Sequence, residues 1–281
     1  MSKTITIISP VDGSVVVERP IATDDELAAA LVAARRAQHE WRSVSVDSRA
    51  DVMGRFVDEM LAMTAEIVPE LAWQMGRPIA YGAGEMRGFE ERSRHMIAIA
   101  DSALADVRPE PRDGFDRYMS REPLGLVLVV APWNYPFLTA VNSVVPALMA
   151  GNAVLLKHAS QTLLVGERFQ AAADAAGLPT GLFQNLVLTH GQTDSLLRNG
   201  AIDQVNFTGS VGGGQSIERS IAGTFTGAGL ELGGKDPAYV RHDADLANAI
   251  ENIVDGAFFN SGQSCCGIAG LCASVAVRRA C

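Results

Sequence analysis

Cysteine is missing from most of this 281-residue chain, since all four cysteines lie at or beyond position 265. That distribution excludes a disulfide framework spread over a fold, and the spacing does not match the paired motif of a zinc site, so no metal is expected. Basic residues are also few, with 23 lysines and arginines against 32 acidic residues and a net charge of −9. No basic stripe with interleaved aromatic residues is visible, so no nucleic acid is expected as a partner.

Long hydrophobic runs are absent as well. The start from Met1 to Pro10 lacks the basic and apolar stretches of a signal peptide, and the strongest apolar run, Leu124 to Ala131, is too short to cross a bilayer. No membrane partner is therefore expected, and a cytoplasmic location is predicted by default. With 48% hydrophobic and 20% charged residues, the chain is expected to form one or two globular domains that act on a small molecule.

The first third of the chain has helical patterns. Thr23 and Glu26 form a predicted capping box that opens a helix through about Trp41. Apolar residues at helical spacing continue over 49–75, with a break expected near Pro69, and again from Gly84 to Leu104. A turn dipeptide between short segments then predicts a projecting hairpin over 107–123.

From Leu124 onward, short apolar runs alternate with helical stretches. The runs are 126–131, 153–157, 184–188 and 203–208, and the helices are expected near 136–150, 160–176, 192–198 and 211–222. Continuous apolar strands that alternate with helices predict an α/β fold with a doubly wound parallel sheet. Ligands of such sheets bind beyond the carboxyl ends of the strands, so the residues that follow each strand are the first candidates for a site.

Two candidates follow the first two strands. Asn134 offers a neutral amide that could stabilise an oxyanion, although asparagines in loops more often form turns. Lys157 is placed to bond a ribose hydroxyl or a phosphate, although a solvated lysine is the commoner case. His158 is expected to serve packing or the loop.

Two more candidates follow later strands. Gly209 and Ser210 precede a helix whose first turn contains three glycines, so backbone N–H groups could face a phosphate, although such a run is often only a turn. Glu231 lies between two leucines, and burial there would raise its pKa and make it a base. Pairing of Glu231 with a nearby lysine or arginine is an equally open alternative.

These segments, taken in order, resemble the aldehyde dehydrogenase superfamily over roughly residues 5 to 268. The motifs are Pro132-Trp133-Asn134, Lys157, Phe207-Thr208-Gly209-Ser210, Glu231-Leu232-Gly233-Gly234-Lys235 and Gly262-Gln263-Ser264-Cys265. The resemblance implies a Rossmann-like NAD(P)-binding domain over 1–106 and 124–233 and an oligomerisation hairpin over 107–123. It also implies that 234–281 starts a catalytic domain, which is expected to be truncated.

The resemblance further implies oxidation of an aldehyde to a carboxylic acid. Cys265 would be the nucleophile that forms a thiohemiacetal and then a thioester, and Cys266 would be only its neighbour. Asn134 and the Cys265 N–H would hold the oxyanion, and Glu231 would activate the hydrolytic water. A relative that passes the acyl group to coenzyme A is an alternative, but the presence of Glu231 counts against it.

For the cofactor, NAD or NADP, the resemblance implies contacts with a set of residues after the strands. They are Trp133, Lys157, Ser160, Gly209, Ser210 and Leu232. Many family members have a glutamate where this chain has Ser160. Without that carboxylate, a 2′-phosphate could lie between Lys157 and Ser160, so NADP is expected to be accepted as well as or instead of NAD.

The sequence after Ile268 departs from the pattern of the family. It is rich in alanine, arginine and cysteine, which suggests a truncated or frameshifted gene. The alternative function is therefore an inactive dinucleotide-binding fragment. Homo-oligomers, which are usual in the family, are doubtful for such a chain.

Overall fold

The computed structural model describes residues 3–274. It begins with an antiparallel hairpin of β1 (Thr4–Ile8) and β2 (Val15–Pro20). This hairpin was not among the predicted elements. Only Ile7 and Ser9 are buried over residues 3–20, so the hairpin lies at the surface, unlike the buried central strands of the main sheet.

Four helices follow: α1 (Asp24–Trp41), α2 (Val46–Ala62), α3 (Thr64–Met75) and α4 (Ile79–Leu104). The capping box at Thr23 is confirmed, with reciprocal bonds between Thr23 and Glu26.

The break predicted near Pro69 is wrong, because the chain turns at Met63 and Pro69 lies inside α3. Pro69 is the sixth residue of α3, so it removes one backbone hydrogen bond there, and the helix continues past it. Helix α4 also starts earlier than Gly84. Its Gly82 packs so closely on α3 that an added Cβ would lie 2.6 Å from a methyl group of Val68, so this glycine serves packing and does not end the helix.

The central sheet is parallel and five-stranded, in the order β5-β4-β3-β6-β7. Its strands are β3 (Leu126–Val130), β4 (Ala153–Lys157), β5 (Phe183–Asn185), β6 (Gln204–Gly209) and β7 (Gly227–Leu232). The connecting helices are α5 (Pro136–Met149), α6 (Leu163–Ala175), α7 (His190–Arg198) and α8 (Val211–Ile221). The predicted α/β class and doubly wound parallel sheet are confirmed.

The core forms around the two central strands. Every residue of β3 and β4 is buried, as parallel strands covered on both faces require. Helices α1 and α5 pack against both strands. Because the chain runs from β3 out to β5 and then returns to β6 beside β3, the strand order reverses there. This reversal opens a crevice at the carboxyl ends of the strands.

A second, small sheet follows β7. Strand β8 (Asp236–Val240) pairs in parallel with β9 (Ile268–Ala273), and α9 (Leu246–Phe258) with a 3-10 turn, Phe259–Gly262, connects them. Helix α9 has no buried residue. The part of the expected catalytic segment over 275–281 lies outside the described residues.

The segment between α4 and β3 is almost wholly exposed. Two isolated antiparallel bridges, Val107 with Met119 and Arg112 with Phe115, bring its two sides together. The segment thus has the shape of the hairpin predicted over 107–123. Its role in assembly stays a prediction.

No helix within residues 3–274 combines the length and the apolar character needed to cross a membrane.

Candidate active site

The residues predicted to act in catalysis or cofactor binding all line one cavity of about 1310 Å³ at the carboxyl edge of the sheet. They are Cys265, Glu231, Asn134, Trp133, Lys157, Ser160, Gly209, Ser210 and Leu232. Strands β3, β4, β6 and β7 each deliver candidates at or just after their last residue, since the carboxyl ends of parallel strands meet at one edge.

A backbone hydrogen bond to the segment that follows β7 holds Cys265 at this edge of the sheet. Its backbone carbonyl accepts a hydrogen bond of 3.0 Å from the N–H of Gly234, two residues after β7. The residue is exposed to the cavity, yet its thiol is partly desolvated there, which raises the pKa of Cys265. The neighbouring Cys266 raises it further, whereas the backbone N–H groups of Cys265 and Cys266 lower it. The thiol therefore needs a base before it can act as a nucleophile.

Asn134 lies half-buried directly after β3, and its side-chain amide has no partner among residues 3–274. The amide is therefore available to a ligand. Its backbone carbonyl, in contrast, accepts two hydrogen bonds, one of 3.2 Å from Nη1 of Arg77 and one of 3.0 Å from Nδ2 of Asn260. The loop that carries the candidate oxyanion donor is thus fixed through its main chain.

A buried ion pair supports the same loop. Arg77 and Glu85 meet at 3.0 Å, with side chains only 2% and 0% exposed. Oε1 of Glu85 accepts the N–H groups of Phe137 and Leu138, the otherwise unpaired donors of the first turn of α5. Burial raises the pKa of Glu85, while Arg77 and the two N–H groups oppose the rise. The sequence predictions missed this pair because no local pattern connects position 85 with position 137.

Asn260 connects the nucleophile segment to the Asn134 loop. Its side chain is fully buried, and besides Asn134 it donates a bond of 3.3 Å to the carbonyl of Gln263. Asn260, Ser261 and Gly262 have φ angles of 53°, 59° and 74°, a left-handed run that few residue types adopt readily. Sequence reasoning also missed Asn260, although its position five residues before Cys265 was a usable signal.

Glu231 differs from its prediction. It is exposed and makes no ion pair within the described part of the chain, so neither burial between leucines nor pairing with a cation applies. The reason is topological: β7 is the edge strand of the sheet, and its last residues face the open cavity. The carboxylate is nevertheless in the same cavity as Cys265.

Lys157 is not the solvated lysine that is the commoner case at such a position. It is only 5% exposed, and desolvation lowers the pKa of its amine. Its ammonium donates one hydrogen bond of 3.2 Å, to the carbonyl of His158. An ammonium has three donors, and no other partner exists among residues 3–274, so two donors remain for a ligand.

His158 is buried and bonds to neighbouring main-chain groups, in line with the predicted role in packing or the loop. Its Nδ1 accepts from the N–H of Ala159 at 3.0 Å, so Nε2 carries the proton and donates to the carbonyl of Pro136 at 3.3 Å. Burial lowers the pKa of His158 from 6.5 to about 3. The neutral ring therefore joins the end of β4 to the start of α5.

Ser210 is the N-cap of α8. Its hydroxyl oxygen accepts the N–H of Gly213 at 3.1 Å, which leaves the hydroxyl proton free to be donated. The glycines here have a packing cause: a Cβ at Gly209 or Gly213 would lie 2.6 or 2.5 Å from Cζ of Phe207. Ser210 itself is exposed and lines the cavity. A phosphate fits such a helix N-terminus.

A metal centre finds no support in the described residues. Between positions 3 and 274, no group of three or more histidine, cysteine, aspartate or glutamate side chains is placed to hold an ion.

Comparison with known proteins gives a consistent result. The model of the aldehyde dehydrogenase family matches residues 1–276, which extends past Ile268. A succinate-semialdehyde dehydrogenase [NADP(+)] of Mycobacterium tuberculosis is 34% identical over 93% of this chain and 58% of its own length. A lactaldehyde dehydrogenase of Escherichia coli is 31% identical over 93% of this chain and 55% of its own length.

Solved structures agree with this result. An NAD-dependent aldehyde dehydrogenase from Sinorhizobium meliloti is 33% identical with a TM-score of 0.92, over 99% of this chain and 56% of that one. The chain thus spans little more than half the length of the proteins it matches. The order of motifs, the sheet topology and the match over 1–276 show that the chain belongs to the aldehyde dehydrogenase family.

Proposed function

We propose that this protein oxidises an aldehyde to a carboxylic acid with NAD or NADP, using Cys265 as nucleophile. The observation that carries the proposal is the convergence of a thiol, an unpaired amide and an exposed carboxylate in one cavity with a buried, under-used lysine. Family membership makes this chemistry the natural expectation.

The residues of the chain have distinct tasks in this reaction. Glu231, acting directly or through water, takes the proton of the Cys265 thiol, whose raised pKa keeps it protonated at neutral pH. The thiolate attacks the aldehyde carbon to give a thiohemiacetal, and the Asn134 amide holds the oxygen that becomes negative. Glu231 is exposed and passes this proton to solvent, so its carboxylate can later deprotonate the water that hydrolyses the thioester, which releases the acid and the free thiol.

The cofactor fits the residues that face the cavity. Two free donors of Lys157 are suited to ribose hydroxyls, and the hydroxyl of Ser210 at the start of α8 is suited to the pyrophosphate. The same cavity is also lined by Trp133, Gly209 and Leu232. When bound, a nicotinamide cofactor supplies the acceptor for the hydride that leaves the thiohemiacetal.

Acceptance of NADP belongs to the proposal. Ser160 is exposed at the cavity beside Lys157, and no carboxylate occupies its place. A 2′-phosphate would therefore meet a cation and no like charge. Among the relatives, the mycobacterial enzyme carries NADP(+) in its name and the Sinorhizobium enzyme is NAD-dependent.

The remaining predictions concern the surroundings of the enzyme. We keep the cytoplasm as its location, and the 107–123 hairpin as its candidate element for assembly into homo-oligomers. We also keep the division into a cofactor domain, 1–106 with 124–233, and a catalytic segment from 234 onward, and the separation of the five-stranded sheet from the β8-β9 sheet supports it.

The test is NAD(P)H formation, followed by absorbance, with a panel of aldehydes. Turnover is expected in the parent and is expected to be lost in Cys265→Ala. The matched control is Cys272→Ala, which removes another exposed thiol, on β9, away from the cavity lining. Cofactor binding without oxidation of any aldehyde would overturn the proposal and favour a dinucleotide-binding function alone.

A further inference from the structure

The α3–α4 junction (residues 77–85) binds the loop that carries the candidate oxyanion donor. Nη1 of Arg77 donates a hydrogen bond of 3.2 Å to the carbonyl of Asn134, and its guanidinium lies 5.0 Å from the centroid of the Tyr135 ring. Oε1 of Glu85 accepts two N–H groups in the first turn of α5, at 3.0 Å each. The loop is thus held on both sides of its turn into α5.

The same junction contacts the segment that carries the nucleophile. The rings of Tyr81, in the first turn of α4, and Phe259 lie 4.7 Å apart between their centroids. Phe259 precedes Asn260, whose Nδ2 donates at 3.0 Å to the Asn134 carbonyl that Arg77 also binds. The junction therefore touches both loops whose spacing matters to the proposed reaction.

The ion pair in this junction is a poor source of stability. The side chains of Arg77 and Glu85 are 2% and 0% exposed, so both charges have lost their hydration. Within residues 3–274, Nε of Arg77 has no hydrogen-bond partner, and Oε2 of Glu85 meets Nη2 of Arg77 at 3.0 Å without the alignment of a hydrogen bond. Buried pairs with such incomplete bonding are often no more stabilising than neutral side chains of similar size. The contacts with the Asn134 loop explain the pair better than its own energetics do.

We propose that Arg77 and Glu85 are positioning residues, which fix the Asn134 amide relative to Cys265 by binding the main chain around it. This inference rests on the proposed function, because it concerns the oxyanion donor of the same reaction. Neither side chain belongs to the cavity lining, so neither touches the substrate. Their effect is therefore expected on kcat, and it should depend on the Asn134 amide.

The test removes both charges together, in Arg77→Met/Glu85→Gln. No charge is then left buried without a partner, and glutamine still offers an oxygen to the two N–H groups of α5. We expect kcat to fall by about 10- to 100-fold, since small displacements of a reacting group are costly. The Kd for NADP should stay at the parent value, and the urea midpoint of unfolding should stay or rise.

An Asn134→Ala background shows whether the pair acts through the amide. Added to that background, the double substitution should lower kcat by less than about threefold, because effects that operate through one group are not additive. The matched control is Arg168→Met/Glu70→Gln, which removes a partly buried ion pair between α6 and α3, off the cavity lining, and should keep the parent kcat. A further 10- to 100-fold loss in the Asn134→Ala background would overturn the inference.

Hydrogen exchange gives a readout that needs no turnover. The amides of Phe137 and Leu138 should exchange about tenfold faster in Arg77→Met/Glu85→Gln, because a neutral acceptor binds them more weakly than a carboxylate does. Mass spectrometry of overlapping peptides measures these rates, which should stay at the parent values in the Arg168 control. Parent-like exchange in the double variant also overturns the inference. If the parent oxidises no aldehyde, the proposed function fails, and the exchange rates still decide whether the pair fixes the loop.

Discussion

The side-chain amide of Asn260 donates a hydrogen bond of 3.0 Å to the main-chain carbonyl of Asn134. The two residues are 126 positions apart in the chain, one at the end of a central strand and the other just before Cys265. The bond joins the loop of the candidate oxyanion donor to the loop of the candidate nucleophile. The proposed reaction requires the protein to control the distance between the Asn134 amide and the Cys265 thiol.

We expect Asn260→Gly to lower kcat by about 10- to 100-fold, because small displacements of a nucleophile from its oxyanion donor are costly. Glycine tolerates the φ of 53°, so the substitution removes the side-chain bonds to Asn134 and Gln263 without adding backbone strain. Steady-state kinetics with an aldehyde measure kcat, and circular dichroism verifies the fold.

The matched control is Ser261→Gly. Ser261 has a similar φ of 59° and is exposed, so this variant makes the segment equally flexible while the Asn260 bond remains. Its kcat should stay near that of the parent. Equal losses in both variants would show that loop flexibility, and not the bond to Asn134, controls the rate.

The main sheet and the place where the candidate residues converge were accessible from the sequence because both depend on local patterns. Apolar runs and helical spacing located β3 and β4, and the candidates that follow the strands line one cavity. The burial of individual side chains could not be predicted from the sequence. Glu231 is exposed because β7 is an edge strand, and strand order is a property of the whole sheet. The Arg77 and Glu85 pair was missed for the same kind of reason, since its partners lie on other elements.

His158 should give the protein a distinct dependence of stability on pH. Its pKa is about 3 in the folded state against 6.5 ordinarily, so between these values only the unfolded state takes up the proton. The contribution is intact above pH 6.5 and is lost as the pH falls toward 3, by about 1.4 kcal/mol per pH unit. Urea unfolding should therefore show a loss of about 2 kcal/mol from His158 between pH 7 and pH 5.

The variant His158→Gln tests this assignment, because glutamine does not titrate. The difference in free energy of unfolding between pH 7 and pH 5 should shrink by about 2 kcal/mol in His158→Gln. His95→Gln, at an exposed position on α4, should retain the difference of the parent. A parent-like difference in His158→Gln would contradict the neutral, buried imidazole.

Ser160→Glu should shift the cofactor preference toward NAD. A carboxylate beside Lys157 would repel a 2′-phosphate, so the Kd for NADP should rise by about tenfold or more, while the Kd for NAD should change less. Isothermal titration calorimetry measures both constants. Ser160→Ala, which removes the hydroxyl without adding charge, should keep the preference of the parent. A similar loss of NADP binding in both variants would mean that the hydroxyl, and not the absence of charge, is decisive.

The central claim is that Cys265 carries the acyl group, and trapping that group tests it most directly. Glu231→Gln should slow hydrolysis of the thioester, and a mildly alkaline pH ionises the Cys265 thiol without help from the carboxylate. The variant is therefore mixed at that pH with an aldehyde and NADP, quenched in acid and analysed by peptide mass spectrometry. The account predicts an acyl adduct on Cys265 that requires the cofactor. An adduct confined to Cys266, or none at Cys265 under any condition, would contradict it.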